Sequence, residues 1–187
     1  MPKLKEDNRA RLVQAAVKAT YQYGFGTTSI ADIAKEAKIP LGNVYYYFKT
    51  KDEIGEAVIQ FRIDRFRRIL AELDKMPSPK ERLCSFVHIK IETRERLARF
   101  GCPVGSMCSE LHKHRGTVAK KSAALFTEGL AWMEKQFKEI GKGKESYGLA
   151  VHLMSALQGV SVLTHTFHDP SLVDMEAARL KKWICSL

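Results

Sequence analysis

Residues 28–51, TSIADIAKEAKIPLGNVYYYFKTK, constrain the fold more than any other stretch of the chain. They read as two short helices around a tight turn. Thr28 or Ser29 is placed to cap the first helix by accepting bonds from its free N–H groups. Ile30, Ile33, Ala34 and Ala37 then recur at helical spacing and give that helix one apolar face. Lys38 falls at the turn, where φ is expected to be positive and a side chain costs about 1 kcal/mol. Ile39 plugs the turn, and Pro40 opens the second helix, where a missing N–H does no harm. Val44 and Phe48 anchor the second helix inward. Leu41, Gly42, Asn43, Tyr45, Tyr46 and Tyr47 are left facing outward or along the rim.

Three consecutive tyrosines on a short helix make a poor core, and they suit a surface that meets phosphates and base edges. The segment resembles the DNA-binding domain of the TetR family of bacterial transcriptional repressors. The resemblance is carried by Tyr23-Gly24-Phe25 through Thr27-Thr28-Ser29, by the Ile33-Ala34 pair, and by the run from Gly42 to Glu53. It covers roughly the first third of the chain. Many helix-turn-helix proteins place glycine where this chain has Lys38.

The resemblance implies a homodimer whose two heads read a palindromic operator on double-stranded DNA, one major groove each. It also implies a small-molecule effector, apolar or aromatic in character, that releases the repressor. Thr28 and Ser29 are expected to bind phosphate through hydroxyls at a helix N-terminus, whose dipole favours anions. Tyr46 and Lys51 are expected to do likewise from the far side of the groove. Gly42 lets the backbone approach the bases, beside Leu41, and Asn43 and Tyr45 are placed to read base edges or a thymine methyl.

Charge agrees with such a partner. The net charge is +10 over 187 residues, an excess suited to nucleic acid or anionic lipid. Residues 1–51 and residues 52–187 each carry a net +5, so the excess is denser at the N-terminal end. No run approaches the ~18 consecutive apolar residues needed to span a membrane. Lys3, Lys5, Glu6 and Asp7 are not followed by the apolar stretch of a signal peptide, so no membrane partner and a cytoplasmic location are expected. Cys84, Cys102, Cys108 and Cys185 are then expected to be reduced thiols. Their irregular spacing contains no CxxC pair of the kind that holds structural zinc.

The periodicity predicts an all-α chain: a three-helix helix-turn-helix head over residues 1–50, and an effector-binding and dimerisation domain over 51–187. A first amphipathic helix over 8–23 carries Leu12, Ala15, Ala16 and Ala19, with Asn8 as cap and Gly24 as stop. Thr50 and Glu53 form a capping box for a long helix over 51–75, the natural lever between ligand and head. Met76-Pro77-Ser78-Pro79 breaks it. Further helices are predicted over 78–99, from the Gly101-Cys102-Pro103-Val104-Gly105 junction to near His114, and over 117–140, 145–167 and 172–187. No strand-like alternation, internal repeat or low-complexity segment is present.

The helix over 145–167 is apolar on nearly every face and therefore needs cover on two sides. Ser155, Ala156 and Gly159 would let a second copy cross closely. With Val173, Ala177, Leu180 and Ile184 of the last helix, this predicts half of a four-helix dimer interface across 146–166 and 171–185. The competing reading is a central helix in a monomeric core.

Phe66, Phe86, Phe100, Met107, Cys108, Phe126 and Met133 mix aromatics with soft residues and suit an adaptable effector pocket. Each also fits ordinary core. Residues 101–110 are similar to the start of the corresponding helix in family members answering to aromatic or antibiotic-like compounds. Cys102 or Cys108 offers an alternative, a thiol that reacts with an electrophile or oxidant. The plainer reading of both is a small apolar filler. His112 and His114 diverge on a helix, and His165 and His168 share a face with only Asp169 beside them, so no metal is expected. No cofactor is implied either. A helical carrier or enzyme finds no phosphate loop, nucleophile motif or zinc pattern to support it.

Overall fold

The structure, a computed structural model, describes residues 2–114 and 116–187, with side chains described for 7–113 and 116–187. The expectations placed on Lys3, Lys5, Glu6 and the His114 side chain lie outside that range. Among the described residues every regular element is helical and no strand occurs. The fold is all-α, as the periodicity implied.

Helix α1 (Pro2–Tyr23) starts six residues before the expected cap at Asn8. Pro2 at the first helical position sacrifices no bond, and Asn8 becomes an interior residue whose Oδ1 accepts from Arg11. The helix stops at Gly24, which takes φ 89°. Helices α2 (Ile30–Ala37) and α3 (Leu41–Tyr47) follow. Between them Lys38 adopts φ 56°. Its N–H bonds to Lys35 O, and the Ile39 N–H reaches Ala34 O at 3.0 Å. This is the Schellman closure that glycine usually makes, and Ile39 is buried beneath it. Leu12, Ala15, Ala16, Ala19, Ile33, Ala34, Ala37, Val44 and Phe48 are all buried, so the apolar stripes of the three helices meet as expected.

Helix α4 (Lys51–Leu73) is long and starts with the Glu53 N–H bonded to Thr50 Oγ1. The return bond of the box reaches one residue further back: Glu53 accepts from the Lys49 N–H at 2.8 Å. The single helix expected over 78–99 is two, α5 (Pro79–Glu92) and α6 (Arg94–Phe100). Thr93 ends the first by turning its hydroxyl back on Ile89 O at 2.8 Å, a local bond that competes with helix propagation. Then come α7 (Gly105–His114), α8 (Thr117–Glu139), a 3-10 turn (Gly143–Glu145), α9 (Ser146–Phe167) and α10 (Ser171–Ser186).

The chain forms two compact units. The first comprises residues 1–65 and 106–124, the second 66–105 and 125–187. The division expected at residue 50 described roles, and the compact units fall elsewhere: α7 from Ser106 onward, with the first turns of α8, packs as one body with the helix-turn-helix. The core of the second unit is built from Leu83 and Val87 of α5, Met133 and Phe137 of α8, Leu153 and Leu157 of α9, and Leu180 and Ile184 of α10.

That core corrects one expectation. Val173, Ala177, Leu180 and Ile184 of α10 are buried inside their own unit and so are not a dimer face. A single apolar stripe on an amphipathic helix can serve one purpose only, and here it closes the core. Helix α9 differs. Leu153, Leu157 and Val160 are buried, while Tyr147, Val151, Val162, Leu163 and Phe167 remain exposed. By length and composition the segment 143–167 is apolar enough to cross a membrane, the one such helix among the described residues. His152, Ser155, Gln158 and Ser161 interrupt it.

Candidate nucleic-acid interface

The outer face of α3 is built by subtraction. Val44 is fully buried and Phe48 is 2% exposed, with the Arg9 guanidinium 5.1 Å from the Phe48 ring centroid. Fixing those two positions turns Leu41, Gly42, Asn43, Tyr45 and Tyr46 outward, and all five are exposed. Tyr46 and Tyr47 stack edge to face at 5.1 Å. Lys49 folds back to Tyr45 O at 2.6 Å. A Cβ added to Gly42 would find nothing within 4 Å, so the packing of this chain does not require glycine there.

The N-terminus of α2 is arranged differently from the sequence expectation. Ser29 is extended and caps α2: its Oγ accepts the Asp32 N–H at 3.1 Å, and Asp32 Oδ2 accepts the Ser29 N–H at 2.9 Å. The Ser29 hydroxyl also donates to Asp32 at 2.6 Å. These bonds, the hydroxyl first and the backbone N–H second, hold the Asp32 carboxyl below its ordinary range. The capping box is worth about 1 kcal/mol. It also puts a carboxylate at the helix N-terminus where a phosphate was expected. Thr28 is 2% exposed and its hydroxyl donates to Gly24 O at 2.6 Å. Both hydroxyls are therefore engaged in framing α2, Thr28 from inside the fold and Ser29 at its exposed cap. The Ser-x-x-Asp spacing of residues 29–32 was the readable signal for this box.

Lys51 is partly tied down as well. Its ammonium donates to Gly26 O at 2.8 Å and lies 4.9 Å from the Phe25 ring centroid. The five outward residues of α3 are thus brought together on one surface, while Thr28, Ser29 and Lys51 bond to the turn after α1 and to the start of α2.

The seven residues expected to line an effector pocket are divided. Met107 and Cys108 belong to the first unit; Phe66, Phe86, Phe100, Phe126 and Met133 belong to the second. Met133 is fully buried core. Phe66 meets Phe86 at 6.1 Å, and Phe86 meets Trp132 at 5.5 Å. Cys108 is buried with its thiol directed to Ser122 O. Clefts of about 490 Å³ and 360 Å³ open on the first unit, and none of the seven lines either. No group of three or more His, Cys, Asp or Glu side chains suited to a metal ion occurs among the described residues.

A helix pair packed inward through Ile33, Ala34, Ala37 and Val44 and closed by a tight turn, with an outward aromatic and polar face on its second helix, defines a helix-turn-helix on an all-helical chain. Residues 12–58 match the family described as "Bacterial regulatory proteins, tetR family". The HTH-type transcriptional regulator HbdR of Aromatoleum sp. (strain CIB) is 37% identical over 87 residues, 46% of this chain and 38% of that one. Transcriptional regulator AcuR of Cereibacter sphaeroides is 32% identical over 103 residues, 54% of this chain and 47% of that one. The chain thus spans less than half the length of these two curated relatives. Over 99% of its own length it superposes on 97% of a TetR transcriptional regulator from Chloroflexus aurantiacus J-10-FL, with a TM-score of 0.87 and 18% identity. A TetR transcriptional regulator from Legionella pneumophila gives 0.83 at 20% identity, covering 92% and 94%. Residues 12–58 thus carry the DNA-binding segment of TetR-family regulators, and the fold of the chain is the one these solved TetR regulators share.

Proposed function

We propose that this protein is a cytoplasmic repressor that binds a palindromic operator as a homodimer and is released by a small apolar or aromatic effector. The observation that carries the DNA contact is the outer face of α3. Leu41, Gly42, Asn43, Tyr45 and Tyr46 are exposed together, and this mixture of an apolar side chain, an amide and phenols matches what a major groove offers. Asn43 and Tyr45 are assigned base edges, Tyr46 and the free protons of Lys51 the phosphates, and Gly42 the point of closest approach. Thr28 and Ser29 act by fixing α2. The exposed apolar face of α9 supplies the dimer contact. In a mobility-shift titration, DNA flanking the protein's own gene is expected to bind at nanomolar concentration and to be released by aromatic ligands. Equal affinity for unrelated DNA at the same salt concentration would refute operator recognition.

A second reading, a thiol-responsive repressor, is favoured at Cys102 by one specific arrangement. Its sulfur lies 3.3 Å from the Gly105 N–H and 3.7 Å from the Lys90 ammonium, which also donates to Ser161. Burial pushes this thiol up, but Lys90, the Gly105 and Val104 N–H groups and Gln158 outweigh it and bring it below its ordinary value. Burial and the neighbouring Cys185 push Cys84 the other way, to about 11. A lowered thiol pKa means the thiolate persists to lower pH, so alkylation of Cys102 by iodoacetamide should fall off at a lower pH than that of Cys84. Lys90→Met should move the Cys102 profile upward. A Cys102 profile unmoved by Lys90→Met, or lying above that of Cys84, would eliminate this reading.

A further inference from the structure

We infer that Glu110 is a positioning residue for DNA binding: from α7, its carboxylate holds the turn out of which α2 starts. This rests on the DNA-binding reading above. The Phe25 N–H donates to Glu110 Oε2 at 2.8 Å, and the Gly26 N–H donates to Oε1. Both donors lie in the turn after α1, where no helix supplies acceptors. The turn is shaped to admit the carboxylate. A Cβ on Gly26 would lie 2.7 Å from Oε1, and one on Gly24 3.3 Å from Oε2.

The same turn is gripped from its other side. Lys51 takes Gly26 O, and the Phe25 ring sits so close to Gly55 that a Cβ there would lie 2.8 Å from it and 3.1 Å from Val118. Thr28, fixed by its bond to Gly24 O, immediately precedes the Ser29 cap. The N-terminus of α2 is therefore set through Phe25 and Gly26 by a residue some 85 positions away in sequence. Residues 106–124 packing with the head as one unit has the same meaning: α7 completes the DNA-binding body.

Charge alone and positioning make opposite demands on a variant. DNA is a polyanion, so deleting a carboxylate from its binding unit should by charge alone tighten binding. Positioning requires the reverse. Glu110→Ala leaves two turn N–H groups without their acceptor and is expected to weaken operator binding roughly tenfold. Glu110→Gln keeps one acceptor oxygen and is expected to weaken it less. Amide hydrogen exchange at Phe25 and Gly26 should accelerate in the same order, with helicity unchanged by circular dichroism. Should Glu110→Ala fail to fold, Glu110→Gln carries the test alone. Operator binding that is unchanged or tighter overturns the positioning role, and unchanged exchange overturns the clasp itself. If the wild-type protein bound no operator, the role would fall together with the DNA-binding reading, and the exchange rates would still decide the clasp.

Discussion

Gly42→Leu is expected to raise the melting temperature of the protein and, at the same time, to remove its operator binding. Gly42 lies in α3, where glycine is less favourable than an ordinary helix former by up to about 1 kcal/mol. An added Cβ meets nothing within 4 Å, and the position is exposed. The free chain therefore gains from the substitution, by a few degrees for a protein of this size. Against DNA the same four carbons occupy the volume that α3 needs to approach the bases. Losing one or two base contacts costs roughly 1–3 kcal/mol each, so affinity should fall on the order of a hundredfold. Calorimetry and fluorescence anisotropy measure the two effects separately. A variant that is more stable and still binds operator at wild-type affinity would show that the outer face of α3 is not the reading surface.

The head was legible because its determinants are local. A cap, a turn plug, a proline and two inward anchors lie within 24 residues, and Ser29, Ile39, Val44 and Phe48 take the places their spacing requires. Lys38 departs from the usual glycine and still closes the turn, because the Schellman bonds and the burial of Ile39 over-determine its φ. Missed features depend on partners distant in sequence or on one competing bond. Thr93 interrupts a continuous apolar periodicity with a single hydroxyl, and neither glycine nor proline marks the break. The reach of Glu110 to Phe25 has no sequence signature.

The effector residues were less legible for a different reason. Spacing finds which side chains are apolar, but not which body they join. Met107 and Cys108 follow the Gly101–Gly105 junction, yet they pack with the head unit rather than with Met133. Trp132, packed near Phe86 and bonded through its indole N–H to Asp74 at 2.8 Å, is one of only two tryptophans, and spacing alone does not single it out. The stripe of α10 shows the same ambiguity, since a core seam and a dimer seam are identical in periodicity and only the partner distinguishes them.

Helix α9 keeps that distinction open to experiment, and Gly159→Leu is its test. One face of α9 is spent on the core through Leu153, Leu157 and Val160. The opposite face exposes Tyr147, Val151, Val162, Leu163 and Phe167, and contiguous apolar surface of this kind marks an interaction site. Gly148 and Gly159 lie on that exposed side, and a Cβ at either meets nothing within 4 Å. Within one chain, leucine at 159 is accommodated and favours the helix by up to about 1 kcal/mol. Across a close helix crossing it forces the two copies apart. The expected result is a folded protein that sediments as the 21.2 kDa chain rather than as twice that mass. Its operator affinity should fall by roughly 10²–10⁴, because two half-site contacts no longer act together. Leu163→Glu, which buries a charge in the same contact, should reproduce the separation. A wild-type protein that sediments as a monomer at micromolar concentration, or two variants that both remain dimeric, would remove α9 from the assembly and leave its apolar face to another partner.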